Sequence, residues 1–163
     1  MRGTTRVAER RRTIEAAGAE AVVADPDRLG TLIAHLRDIS VICWLMASAA
    51  GAPELHGARL RTLMERLVDT PVRGFVYEAA GTLEPALLAG GAAIVRGASA
   101  TWRIPVEVVD ADPRSRASWV EGVAAAVGRL LEPRGGEGGE WPGARSRSPG
   151  ARPTSPGARP EGR

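Results

Sequence analysis

The chain has 163 residues, of which 44% are hydrophobic and 4% aromatic, so we expect one domain with an aliphatic, alanine-rich core. Lysine is absent and a single cysteine is present, which excludes lysine-based catalysis and an intrachain disulfide. From Met1 to Glu132, 16 arginines balance 16 acidic residues, so the net charge of +3 comes from residues 133–163. This distribution argues against a nucleic-acid-binding face on the domain itself.

No apolar run reaches the roughly 18 to 20 residues that a membrane span requires. The longest run, Ile39–Ala52, is too short, and the charged N-terminus has no apolar stretch behind it. We therefore predict a cytoplasmic protein without a membrane partner.

The first predicted helix covers Val7–Ala17 and ends at Gly18. The apolar run Ala19–Ala24 predicts a buried strand. Asp27 is expected to cap an amphipathic helix over Arg28–Arg37, whose leucines recur at helical spacing.

The continuous apolar run Ile39–Met46 predicts a central strand, with Cys43 as a small core residue. A helix follows at Arg59–Val68 and a strand at Val72–Tyr77. The last three predicted elements are a helix, a strand and a helix, over Pro85–Trp102, Val106–Val109 and Ser115–Leu131. Strands that alternate with helices of this length predict an α/β fold with a parallel sheet.

Residues 133–163 differ in kind from the preceding 132 residues, which we expect to form the domain. They are rich in Gly, Pro, Ser and Arg, and the tetrad PGAR begins at Pro142, Pro149 and Pro156. Such a composition predicts a disordered tail. Two interpretations stay open: an arginine-rich segment that binds RNA or an acidic partner, and an extension without function.

The runs RGTTR, AGAEAVVADPDRLGTL, ISVICWLMASAAG, RGFVYEAAG and IPVEVVDADP together resemble the short-chain dehydrogenase/reductase superfamily, especially its atypical, epimerase-like branch. The resemblance covers about Met1 to Leu131 and implies a Rossmann-type domain that binds NADP or NAD. It also implies that RGTTR is the family's second strand, so the first strand and its glycine-rich turn are missing from this sequence.

The resemblance assigns seven residues to cofactor binding. Arg2 and Arg6 are expected near the adenosine ribose, where an arginine accommodates the 2′-phosphate of NADP, and Thr4 adds a hydroxyl. Asp25 would approach the adenine. The remaining three residues, at the ends of later strands, are Ala47, Ser48 and Tyr77.

Departures from the family pattern argue against catalysis. The family pairs a tyrosine with a lysine four residues later, whereas Gly81 follows Tyr77 at that spacing. No glycine-rich turn follows a strand to hold a pyrophosphate. We therefore expect no catalytic residue. Neither His35 nor His56 has metal-ligand spacing, so both are expected to be surface or rim residues and no metal site is predicted.

For the missing strand, three outcomes stay open: an upstream segment supplies it, another chain fills the gap, or Ala19–Ala24 pairs directly with the strand at Ile39–Met46. The third predicts a sheet of about four parallel strands for these residues alone. The functional expectation is a truncated NAD(P)-binding, reductase-like or epimerase-like protein. The alternatives are a non-enzymatic scaffold that uses its arginine-rich tail and a degenerate, inactive paralogue. The sequence does not specify an oligomeric state.

Overall fold

The computed structural model describes residues 1–49 and 51–132, and strands and helices alternate along them. The strands are β1 Arg2–Thr5, β2 Glu20–Val23, β3 Val41–Trp44, β4 Gly74–Glu78 and β5 Val106–Val109. The helices are α1 Arg11–Ala16, α2 Leu29–Ile33, α3 Ala58–Leu67, α4 Pro85–Trp102 and α5 Arg116–Leu131. The predicted α/β class is confirmed.

Three of the strands form a parallel sheet in the order β3-β4-β5. Every residue of the central strand β4 is buried, because both of its faces are covered. Phe75 and Tyr77 face the larger apolar cluster, which α3 and α4 help to form. Val76 points the other way and packs with Val109 and Ala126 beneath α5. Strand β4 thus forms the centre of the fold.

The predicted four-strand order is wrong at its first pair. β2 pairs in parallel with β1, Arg2 lying opposite Glu20, and within the described residues no pairing joins these strands to β3. Only α1 and its flanking turns separate β1 from β2, so their pairing closes a short loop at low entropic cost. The result is two sheets, of two and three strands.

The boundaries of α4 and β5 agree with the sequence prediction, whereas α2 is only five residues long. Asp27 does not cap α2, because Arg28 occupies the N-cap position and no side-chain cap hydrogen bond is formed there. Instead the Asp27 backbone N–H donates to the carboxylate of Asp25 at 3.0 Å. Gly18 takes φ +80° immediately after α1, as expected for a glycine that ends a helix.

Two predicted environments are also wrong. Cys43 is exposed, because β3 is an edge strand and the cluster beneath α5 centres on the other two strands. His56 is buried, with 1% of its surface accessible, because it lies in a short 3-10 turn that packs against α3 and α4.

No helix within residues 1–49 and 51–132 combines the length and apolar character needed to cross a bilayer. The tail predicted to be disordered, residues 133–163, lies outside the described residues.

Candidate functional site

Arg6 follows β1 at its carboxyl end and joins this end of the strand to the corresponding end of β2. Its guanidinium lies 3.1 Å from the Asp27 carboxylate and 3.3 Å from that of Asp25. Arg59, at the start of α3, approaches Asp27 at 3.9 Å. The structure therefore brings two of the predicted residues, Arg6 and Asp25, into one ion-pair cluster.

A cleft of about 710 Å³ opens between the end of β1 and α1. Its lining combines two arginines, three threonines and two apolar residues: Arg6, Arg10, Thr4, Thr5, Thr13, Val7 and Ile14. The Thr5 hydroxyl is engaged within the turn after β1, because it accepts the Val7 N–H at 3.3 Å and donates to the Val7 carbonyl oxygen at 3.1 Å. Arg10 forms no ion pair with any of the described residues, so its charge is free to meet an anion.

Arg2 lies at the opposite end of β1 from this cleft. Its guanidinium donates to Asp38 at 2.9 Å, to Glu20 at 2.8 Å and to the His35 carbonyl oxygen at 2.7 Å. These bonds raise the pKa of Arg2 and lower that of Asp38. Three residues lie between Arg2 and Arg6, which puts their backbones roughly 13 Å apart along the extended chain. Because Asp38 and Glu20 engage its guanidinium at that end, Arg2 does not line the cleft.

Ala47 and Ser48 are held against the loop after β4. The Ala47 N–H donates to the Glu78 carboxylate at 2.8 Å, and its carbonyl accepts the Leu83 N–H at 3.1 Å. Ser48 accepts the Thr82 N–H at 3.4 Å. Gly81 lies so close that a Cβ there would collide with the Ala47 backbone. These contacts fill the space beyond β3 and β4.

Tyr77 is fully buried and hydrogen-bonded inside the fold. Its hydroxyl oxygen lies 2.6 Å from Nδ1 of His56 and 3.2 Å from the Leu88 carbonyl. Nε2 of His56 lies 3.1 Å from the Met46 carbonyl, which only accepts, so Nε2 carries the proton of the neutral ring. The single Tyr77 proton is then shared between two acceptors, Nδ1 of His56 and the Leu88 carbonyl oxygen.

The environment of this pair disfavours charge on either ring. Burial lowers the pKa of His56, against smaller raising effects of Met46 and Glu78. Burial also raises the pKa of Tyr77 to about 12, with a further contribution from the Glu78 carboxylate. Tyr77 is therefore a neutral structural hydrogen-bond donor at physiological pH, and it does not line the cleft.

Glu78 and Trp119 are the residues that the sequence reasoning missed. Glu78 is buried, and its carboxylate accepts from the Trp119 indole N–H at 2.8 Å as well as from Ala47. The sequence contained one signal for Glu78: this charged residue directly follows the apolar run Phe75–Tyr77. In the structure Glu78 still belongs to the strand. Glu78 thus ties α5 and the end of β3 to the central strand.

The cleft beside β1 is lined by arginine and threonine side chains and by two apolar residues. The glycines with positive φ among the described residues are Gly18 and Gly51, and neither begins a helix after a strand, the arrangement that binds pyrophosphate.

Comparison with known proteins provides no family assignment: no protein-family model, curated protein or solved structure matches this chain.

Proposed function

We propose that the chain binds the phosphorylated adenosine portion of NADP, or of NAD with lower affinity, and does not catalyse hydride transfer. The observation that carries the proposal is the cleft beside β1, where Arg6 and Arg10 accompany three threonine hydroxyls. Arg10 supplies an unpaired positive charge, whereas the Arg6 guanidinium is already paired with Asp25 and Asp27 and serves to hold the end of β1 in place. A guanidinium fork complements phosphate oxygens in both charge and geometry.

The parallel strands support this location. In parallel α/β folds, ligands bind beyond the carboxyl ends of the strands. Arg6 lies immediately beyond β1, and its ion pairs fix it there. The preference for NADP follows from charge, because NAD has no 2′-phosphate for Arg10 to meet.

A titration with NADPH tests the proposal. We expect calorimetry to give a Kd tighter than about 100 μM for NADPH, and NADH to bind roughly tenfold more weakly. Arg10→Gln should weaken NADPH binding about tenfold while leaving NADH almost unchanged. Arg12→Gln is the matched control, because Arg12 is also exposed near the start of α1 but does not line the cleft. An Arg12 variant that loses as much affinity as the Arg10 variant would contradict the assignment.

The second candidate is a non-enzymatic interaction module. It is favoured because two of the predicted cofactor contacts, Ala47 and Tyr77, are buried and hydrogen-bonded within the protein itself. The same titration separates the candidates. No heat of binding at millimolar NADPH would exclude nucleotide binding and leave the interaction module.

A further inference from the structure

Helix α4 has almost no polar surface on its outward side. Arg96 is the single charged residue among its 18 residues. Most of its exposed positions are small: Ala86, Ala89, Gly90, Ala93, Gly97 and Ala100. A surface helix normally carries charged residues on the face opposite the core, whereas a helix without them is usually covered. The outer face of α4 therefore has the composition of a contact surface.

A groove of about 540 Å³ runs between α4 and its neighbour α3. Ala93 and Gly97 line the α4 side, and Arg61 and Glu65 line the α3 side. A Cβ at Gly97 would meet nothing within 4 Å, so the surface above it is open. Small residues at this position permit another helix to approach closely.

The charges beside the groove are self-complementary. Arg61 and Glu65 lie one turn apart on the same face of α3, and neither forms an ion pair in the part of the chain that the structure describes. In a two-fold symmetric interface, residue i of one copy meets residue j of the other and j meets i. An axis perpendicular to α3, between these two residues, would pair each Arg61 with the Glu65 of the other copy.

From these features we infer that two copies of this chain associate through the α3–α4 face. The two α3 helices cross antiparallel with two Arg61–Glu65 pairs, and the Gly97 positions of the two α4 helices meet near the axis. The occupant is a second copy because both signs of charge that the interface needs are present on one surface. This inference is independent of nucleotide binding, which uses the cleft beside β1.

Charge reversal tests the pairing in the full-length chain. We expect sedimentation analysis to give twice the 17.1 kDa chain mass for the unaltered protein. Arg61→Glu and Glu65→Arg should each weaken self-association at least roughly tenfold, since each places like charges opposite one another. Mixing the two variants should restore a dimer, because their charges are then complementary. A monomeric unaltered chain at about 100 μM, or a mixture that stays monomeric, would overturn the inference.

A glycine pair provides a second test. Gly97→Arg should abolish the dimer, whereas Gly128→Arg on the exposed side of α5 should leave it intact. Neither position has an atom within 4 Å of its Cβ site, so both variants are expected to fold, which circular dichroism checks. A dimer that survives Gly97→Arg would show that the copies meet through another face.

Discussion

Tyr77 and Glu78 are adjacent in β4 but lie on opposite faces of the sheet. Each is buried, and each satisfies its polar atoms with a residue from a distant part of the chain: Tyr77 with His56, and Glu78 with Trp119. A buried polar group without a partner costs about 1 to 3 kcal/mol. These two hydrogen-bonded pairs therefore hold the helical layers on both faces to the central strand.

Alkaline titration tests the environment of Tyr77. Because the pKa of Tyr77 is raised to about 12, the absorbance step of phenol ionisation should occur near pH 12 in the native protein. In urea it should occur near the ordinary value of about 10. Between these pH values the unfolded chain loses a proton that the native chain keeps, so the free energy of unfolding should fall as pH rises.

The measurement is unambiguous because the chain contains one tyrosine. The absorbance change at long ultraviolet wavelength therefore reports this side chain alone. A native step close to pH 10 would contradict the buried position described here.

At the scale of the element, α4 depends on a glycine where it crosses β4. A Cβ at Gly91 would collide with the Tyr77 hydroxyl and lie 2.6 Å from its Cζ, whereas a Cβ at Gly90 would meet nothing within 4 Å. The two glycines are neighbours in one helix, so their backbone propensities are equal and only the packing differs.

This pair gives a stability prediction. Gly90→Ala should stabilise the protein by up to about 1 kcal/mol, because alanine is the better helix former. Gly91→Ala should destabilise it by about 1 to 3 kcal/mol, since overpacking against Tyr77 outweighs that gain. Urea unfolding of both variants measures the difference. Equal effects at the two positions would show that α4 does not press on Tyr77.

At the scale of the whole molecule, the two sheets contribute unequally to the core. Both apolar clusters are built around the three-stranded sheet, and neither includes a residue of β1, α1 or β2 among its members. Helix α1 has no buried residue. Two ion pairs join the segment that contains β1, α1, β2 and the following Asp27 to the rest of the domain. They are Arg2 with Asp38 and Arg59 with Asp27.

Hydrogen exchange should reveal this inequality. Amides of β1, α1 and β2 are expected to exchange through a partial opening, faster than those of β4, whose exchange requires global unfolding. Raising the salt concentration should widen the difference, because exposed ion pairs are screened. Equal protection of both sheets would show that the two-stranded sheet is as firmly packed as the three-stranded sheet.

The sequence by itself determined the elements that local pattern controls. The period of apolar residues fixed α3, α4 and β5 to within a residue, and the alternation of strands and helices predicted the α/β class. Of the predicted cofactor contacts, Thr4 and Arg6 line one cleft and Arg6 pairs with Asp25, while their role in cofactor binding stays a prediction.

Only the tertiary structure decided which strands pair, where polar residues are buried and which predicted contacts are remote. The sequence does not show that β2 prefers β1 to β3, that Arg2 lies at the far end of its strand, or that His56 meets Tyr77. The β1–β2 pairing is set by the closure of a short loop, and the contacts of Arg2 and His56 depend on groups far apart in the chain. Neither loop closure nor the packing of whole elements is visible in a local sequence pattern.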